Sequence, residues 1–78
     1  MVECTYDRQA DAVYVHLART PYSYGKDVDT ERRVDFDSED NPIGVELLCV
    51  STGVNVEGLP ERRWIAEFLR SSGIKILP

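Results

Sequence analysis

The sequence has little of what a secreted, membrane-spanning or nucleic-acid-binding protein requires. Its 78 residues contain only two cysteines and one histidine, and nine Lys and Arg stand against 14 Asp and Glu. The resulting net charge of -5 disfavours nucleic acid, whose phosphates require basic residues, and also an anionic membrane surface. No apolar run approaches the roughly 18 residues of a membrane span, and no secretory leader precedes the first strand pattern. We therefore expect an acidic cytoplasmic protein.

The two cysteines give no sign of a metal centre. Cys4 and Cys49 lie within apolar segments and lack C-x-x-C spacing. In a reducing cytoplasm such residues are usually buried thiols. A zinc site would need further ligands, which His16 alone cannot supply. The sequence therefore predicts no metal site at these residues, and no cofactor.

What is present is the composition of one small folded domain, spanning residues 1–78. Hydrophobic residues make up 42% of the chain and charged residues 29%, with five Gly and four Pro. A chain of this length buries only about three-fifths of the surface it exposes when unfolded. Small domains of this kind often gain stability from a partner chain.

Alternation of apolar and polar residues predicts a series of β-strands. Asp7 and Asp11 offer turn chemistry between the first two, which we expect to form a hairpin. The predicted strands lie within 2–6, 12–17, 33–37 and 43–50, with a short edge strand within 19–30.

The C-terminal third has a helical pattern. Its apolar stripe consists of Trp64, Ile65, Phe68 and Leu69. Pro60 suits a first helical position, and Gly73 suits the end of a helix. Short apolar segments at 54–56 and 74–76 flank the helix, which predicts a parallel, right-handed strand–helix–strand crossover.

Together these patterns predict an α+β fold: a mainly antiparallel sheet of four to five strands with one C-terminal helix packed on one face. The strand at 43–50 is apolar on both sides, so it should lie centrally. With the helix on one face, Tyr14, Leu48 and Val50 would remain on the other. Burying each such side chain stabilises by roughly 1.5–3 kcal/mol. We therefore predict that these three residues form the interface of a homodimer or of a complex with another protein.

An acidic segment provides the alternative function. Its carboxylates, at Asp35, Asp37, Glu39 and Glu46, have the spacing of four ligands in an EF-hand calcium loop. However, Asp40 occupies the position that requires glycine, and strand patterns flank the segment where an EF-hand has helices. We interpret the segment as a solvated turn and keep a small-ligand or calcium-like site over 35–46 as the alternative.

The sequence contains no assembled catalytic pattern. Asp7 and Asp11 are candidates for an acid–base pair, but both flank a turn, where Asp commonly bonds local backbone. His16 and Ser51 lack a third residue at a recognisable spacing that would orient them. We therefore predict no catalytic residues and no enzymatic activity.

Two stretches resemble a known family. YDRQADAVYVHL (6–17) has Tyr-Asp followed by Ala-Asp-Ala and a strand, and VDFDSEDNPIGVELLCVS (34–51) has an acidic strand, a turn and a Gly-Val-Glu-Leu-Leu strand closed by Ser. Both resemble the bacterial domain of unknown function 2283 family, from which the chain departs at Pro42 and Cys49. The residues that carry the resemblance are Tyr6, Asp7, Ala10, Asp11, Ala12, Tyr14, Val34, Asp35, Asp37, Gly44, Glu46, Leu48 and Ser51.

The resemblance implies a small bacterial protein, without an activity that can be carried over residue by residue. Some members are encoded beside small toxin-like proteins, so it implies an antitoxin-like or accessory role as an expectation. The segment after Ser51 resembles an extension carried by some members. Together with the acidic balance, this predicts a protein-interaction module with a basic partner.

Overall fold

The computed structural model describes residues 2–78, which form one five-stranded sheet and one α-helix. Neighbouring strands are all antiparallel, in the order β1-β2-β5-β4-β3. The predicted α+β fold is therefore confirmed, including the edge strand within 19–30. The elements are β1 (Glu3–Asp7), β2 (Ala12–His16), β3 (Tyr24–Asp27), β4 (Arg32–Phe36), β5 (Pro42–Leu48), a 3₁₀ turn (Val50–Thr52) and α1 (Arg62–Ser71).

The sheet consists of two local units joined along one seam. β1 and β2 form the predicted hairpin, in which Asp7 Oδ1 accepts a hydrogen bond from the Ala10 N–H at 3.0 Å. Asp11 closes this turn in the left-handed region, with φ 55, which Asp tolerates better than most residues. β3, β4 and β5 form a meander, and the pairing of β2 with β5 joins the two units.

β5 is the central strand, as its apolar sequence predicted. Ile43, Val45 and Leu47 are buried on the face that carries α1. Cys49 then adopts the left-handed conformation, with φ 54, and ends the strand. Because the chain turns there, Val50 enters the core and is 0% exposed. The prediction that Val50 lies on the opposite face with Leu48 was therefore wrong.

The helix covers one face of the sheet with a stripe that differs from the predicted one. Ile65, Ala66 and Leu69 are buried and Phe68 is half-buried, whereas Trp64 is 39% exposed. Trp64 instead stacks on Phe68, with ring centroids 6.2 Å apart. The core on this face consists of Val13, Val15, Val34, Val45, Leu47, Val50, Val54, Leu59, Ile65, Leu69 and Ile74.

The two ends of α1 differ in how well they were predicted. Pro60 is not the first helical residue: it and Glu61 form a turn, and Glu61 is left-handed with φ 54. At the other end Gly73 has φ 80, its N–H donates to the Arg70 carbonyl, and the Ile74 N–H donates to the Leu69 carbonyl. This pair of hydrogen bonds is a Schellman motif, the predicted glycine stop.

The predicted parallel crossover is present in minimal form. The segments before and after α1 meet in one isolated parallel bridge between Val54 and Ile76. Its hydrogen bonds run from the Val54 N–H to the Lys75 carbonyl and from the Leu77 N–H to the Val54 carbonyl. No helix within residues 2–78 is long and apolar enough to cross a membrane.

Candidate functional site

The face of the sheet opposite α1 is called the open face here. Side chains on a strand alternate between faces, so the strand register defines which residues it contains. One row, Thr5–Tyr14–Glu46–Arg33–Asp27, crosses all five strands. The open face consists of Glu3, Thr5, Asp7, Ala12, Tyr14, His16, Gly25, Asp27, Arg33, Asp35, Gly44, Glu46 and Leu48.

Tyr14 spans the centre of the open face. Its ring extends from β2 across β5, and its hydroxyl donates a hydrogen bond of 2.7 Å to Asp35 Oδ2 on β4. The ring passes over Gly44, where a Cβ atom would overlap the Tyr14 hydroxyl. Burial, followed by the bond to Asp35, raises the pKa of Tyr14 well above its usual range. The phenol is therefore a neutral hydrogen-bond donor at every physiological pH.

Arg33 organises the half of the open face near β3. Its guanidinium lies over Gly25 and contacts Asp27 at 3.3 Å and Asp35 at 3.4 Å. It also donates a hydrogen bond of 3.3 Å to the Tyr22 hydroxyl. The bond to Tyr22, followed by the one to Asp35, raises the pKa of Arg33. Sequence patterns alone had not singled out Arg33, because its partners come from three separate segments.

The open face has a clear excess of negative charge. It contains the carboxylates of Glu3, Asp7, Asp27, Asp35 and Glu46 and one basic side chain, Arg33. The helix on the other side of the sheet has the opposite balance, with Arg62, Arg63 and Arg70 against Glu67. The molecule therefore presents an acidic face and a more basic one.

The three predicted interface residues do not lie together. Tyr14 and Leu48 are on the open face, and Leu48 is 38% exposed at the end of β5. Val50 belongs to the core beneath α1 and cannot contact a partner there. The second face of the sheet is consequently polar, aromatic and acidic, where the sequence had predicted an apolar surface.

The acidic segment at 35–46 forms the predicted turn between two strands. Asp37 is 5% exposed, and its carboxylate accepts hydrogen bonds from the Glu39 and Asn41 N–H groups, both at 2.9 Å. The Thr20 hydroxyl and the Asn41 side-chain amide also donate to it. The N–H of Asn41, the largest influence, holds the pKa of Asp37 below its usual value. This carboxylate organises the turn.

The same geometry gives the calcium-like alternative no support. Asp35 and Glu46 lie on the open face, and Asp35 already bonds Tyr14 and Arg33. Asp37 points its oxygens at the turn's own donors. Across residues 2–78, no three His, Cys, Asp or Glu side chains converge in a way that could hold a metal ion.

The candidate catalytic residues are likewise engaged in local structure or far apart. Asp11 accepts hydrogen bonds from the Ser51 N–H at 2.9 Å and from the Ser51 hydroxyl at 2.7 Å, which fixes the 3₁₀ turn against the hairpin. His16 lies at the opposite end of β2 from Asp11, roughly 16 Å away at the usual strand rise. Its ring packs edge-on against Tyr14, with centroids 4.6 Å apart.

The residues that carry the family resemblance are thus largely explained by the fold. They form the hairpin turn, the Asp11–Ser51 contact, the Tyr14–Gly44–Asp35 contact and the Asp37 turn. Each contact joins segments distant in sequence or closes a turn between strands. This half of the chain therefore encodes a sheet and the arrangement of its open face.

The comparison with known protein families matches this same part of the chain. The family model described as "Protein of unknown function (DUF2283)" matches residues 4–51, which is more than half of the chain. The match begins within β1 and ends within the 3₁₀ turn. No curated protein and no solved structure shows significant similarity to the chain. The extent of the match shows that the chain is a member of the DUF2283 family.

Proposed function

We propose that this chain is a non-enzymatic protein-interaction module that binds a basic protein through the open face of its sheet. The observation that supports this most directly is the concentration of five carboxylates against one guanidinium on a face that α1 does not cover. Opposite charge on a partner would increase both the rate and the specificity of association. An antitoxin-like or accessory role for a basic partner is consistent with this chemistry.

The side chains of the open face also suit recognition of a protein surface. Tyr14 and Tyr22 provide aromatic contact area next to charged groups, and the exposed Leu48 provides an apolar contact. Tyr and Arg are enriched at protein interfaces. The Tyr14 and Arg33 side chains are already held in place by Asp35, so binding would immobilise few additional rotamers.

The charge favours a different protein over a second copy at this face. Two open faces packed against each other would bring ten carboxylates together with two guanidinium groups. Like charges opposed across an interface cost several kcal/mol. The proposal therefore places a hetero-complex at the open face. A cytoplasmic setting is consistent with Cys4 and Cys49, which are both unpaired thiols.

The proposal is tested by affinity purification from the native cytoplasm, with mass spectrometry and light scattering of the eluted complex. We expect one basic protein at a fixed stoichiometry. Glu46→Lys, on the row between Tyr14 and Arg33, should release it, because it reverses a charge at the centre of the open face.

A matched control is Glu67→Lys, which makes the same charge change on the exposed side of α1 and should retain the partner. Equal retention by both variants would mean that the open face is not the binding surface. Elution of the chain alone, as a monomer or a homodimer, would contradict the hetero-complex.

A further inference from the structure

The outer edge of β1 carries backbone groups that face away from the sheet. In an antiparallel sheet, successive residues direct their N–H and C=O groups to alternate sides. The Leu17 N–H donates to the Ile43 carbonyl, which places Val13 and Val15 in the hydrogen-bonded pairs with β5. The alternate residues of β2 therefore bond to Glu3, Thr5 and Asp7. It follows that the backbone groups of Cys4 and Tyr6 point outward.

No other strand within residues 2–78 pairs with this edge. β1 contains neither Pro nor Gly, and its register with β2 runs through all five residues without a bulge. Native edges are usually protected by Lys, Pro or bulges. The other edge has more protection: β3 has four residues, including Lys26, and Arg33 lies over Gly25. β1 is thus the edge better suited to accept another strand.

The side chains of β1 specify the kind of strand. Glu3, Thr5 and Asp7 lie on the acidic open face, while Cys4 and Tyr6 pack against the core on the side of α1. Two copies of β1 could pair antiparallel along the whole strand. Thr5 of one copy would then face Thr5 of the other, and Glu3 of each copy would face Asp7 of the other. Like charges directly opposite each other destabilise a strand pair. β1 therefore disfavours its own copy and favours a strand with basic residues at the positions facing Glu3 and Asp7.

We propose that an extended segment of another protein, apolar on one side and basic on the other, adds antiparallel to β1. This inference rests on the proposed function and specifies how the basic partner is held. The partner's backbone bonds to Cys4 and Tyr6, its Lys or Arg side chains face Glu3 and Asp7, and its apolar side chains extend the surface next to Tyr6. The added strand continues the sheet, so the open face extends onto the partner.

Two synthetic peptides test this mode of binding. One alternates Lys and Val around a central Thr, and the other has Glu in place of Lys. In amide hydrogen exchange by NMR, the basic peptide should slow exchange at Cys4 and Tyr6 and leave exchange at Thr5 unchanged. We expect the acidic peptide to bind at least about tenfold more weakly, which corresponds to roughly 1.4 kcal/mol. The double variant Glu3→Lys/Asp7→Lys should reverse this preference.

A second variant tests the edge without a peptide. Glu3→Lys alone makes β1 complementary to its own copy, because the introduced lysine then faces Asp7 on both sides of the pair. We expect this variant to dimerise at concentrations where the native chain and Glu67→Lys remain monomeric, with Cys4 and Tyr6 protected in the dimer. Cys4→Pro removes an outward N–H without breaking the ladder with β2, so adding it should abolish the dimer.

The outcomes separate this inference from the proposed function. Peptide-induced shifts at Tyr14 and Arg33 without protection at Cys4 and Tyr6 would overturn the β1 inference and leave the open face as the binding surface. Absence of binding by both peptides, together with a monomeric Glu3→Lys variant, would also overturn it. If Glu46→Lys loses the native partner but Cys4→Pro keeps it, the proposed function stands. The partner then binds the open face and does not pair with the edge of β1.

Discussion

The hydroxyl of Tyr14 reaches Asp35 only because residue 44, directly beneath its ring, is glycine. Tyr14, Gly44 and Asp35 belong to β2, β5 and β4, so one side chain joins three neighbouring strands. Two of these strands form the seam between the hairpin and the meander. The contact therefore holds together units that share no turn.

Gly44→Ala should destabilise the protein by about 1–2 kcal/mol, because the new methyl group displaces the Tyr14 ring and breaks a hydrogen bond to a carboxylate. In a Tyr14→Ala background the space is empty, and Ala is favoured over Gly in a strand by roughly 0.5–1 kcal/mol. The effect of Gly44→Ala should therefore change sign. Urea denaturation of the four proteins measures both steps, and additive effects would refute the contact.

Val50→Ala and Leu48→Ala should differ strongly although the residues are close neighbours in the chain. Val50 is fully buried, so its truncation leaves a cavity and should cost about 2–3 kcal/mol. Leu48 is partly exposed at the end of β5, and its truncation should cost less than about 1 kcal/mol. Thermal and urea unfolding distinguish the two; similar losses would contradict the turn at Cys49.

Asp37 should make stability depend on acid pH. Its folded pKa lies below the ordinary value of 3.8, chiefly because of the Asn41 N–H. The stabilisation is therefore complete above the unfolded pKa and is lost as the pH falls through the folded pKa. Asp37→Asn should melt at a lower temperature than the native chain at pH 7, and the difference should shrink towards about pH 2. Glu39→Gln, at an exposed neighbouring residue, should show no such difference. A melting-temperature difference for Asp37→Asn that stays constant with pH would argue against Asp37 as the source of the pH dependence.

The two cysteines should react with a thiol reagent in separate phases. Burial raises the pKa of Cys4 to about 11, whereas Cys49 is exposed. Partial desolvation, followed by the charge of Glu31, also raises the pKa of Cys49. Since the thiolate is the reactive form, both phases should accelerate with rising pH, and Cys49 should react first. Cys49→Ser should remove the fast phase and Cys4→Ser the slow one; the reverse assignment would place Cys4 at the surface.

The strands and the helix were predictable because local alternation and spacing are properties of neighbouring residues. The sequence could not reveal where a residue adopts a backbone conformation that its type and its neighbours disfavour. Cys49 follows an unbroken strand pattern, and its left-handed conformation depends on the Val50 side chain finding room in the core. The Val50 N–H donates to the Asp11 carbonyl, so a residue from the distant hairpin fixes that direction.

The open face was mispredicted for the same reason. The predicted apolar character rested on Tyr14, Leu48 and Val50. Without Val50, charged side chains outnumber the apolar ones on this face. Trp64 was assigned to the core by spacing alone. Trp64 lies at the edge of the helix–sheet interface, because the helix starts at Arg62 and directs Ile65 and Leu69 at the sheet. The Arg33 contacts needed the positions of three segments and could not be predicted from spacing.

The family match ends at residue 51, before α1, so the matching part is a sheet whose apolar face is covered by the rest of the chain. The C-terminal third thus covers the sheet much as a separate protein chain would at an interface, although it belongs to the same chain. A break at the exposed turn Glu57–Gly58 would leave two fragments, each exposing its own part of the core, since seven core residues lie before the turn and four after it. Neither fragment should fold by itself, whereas a mixture of the two should reassemble, which makes this domain a natural candidate for a split reporter.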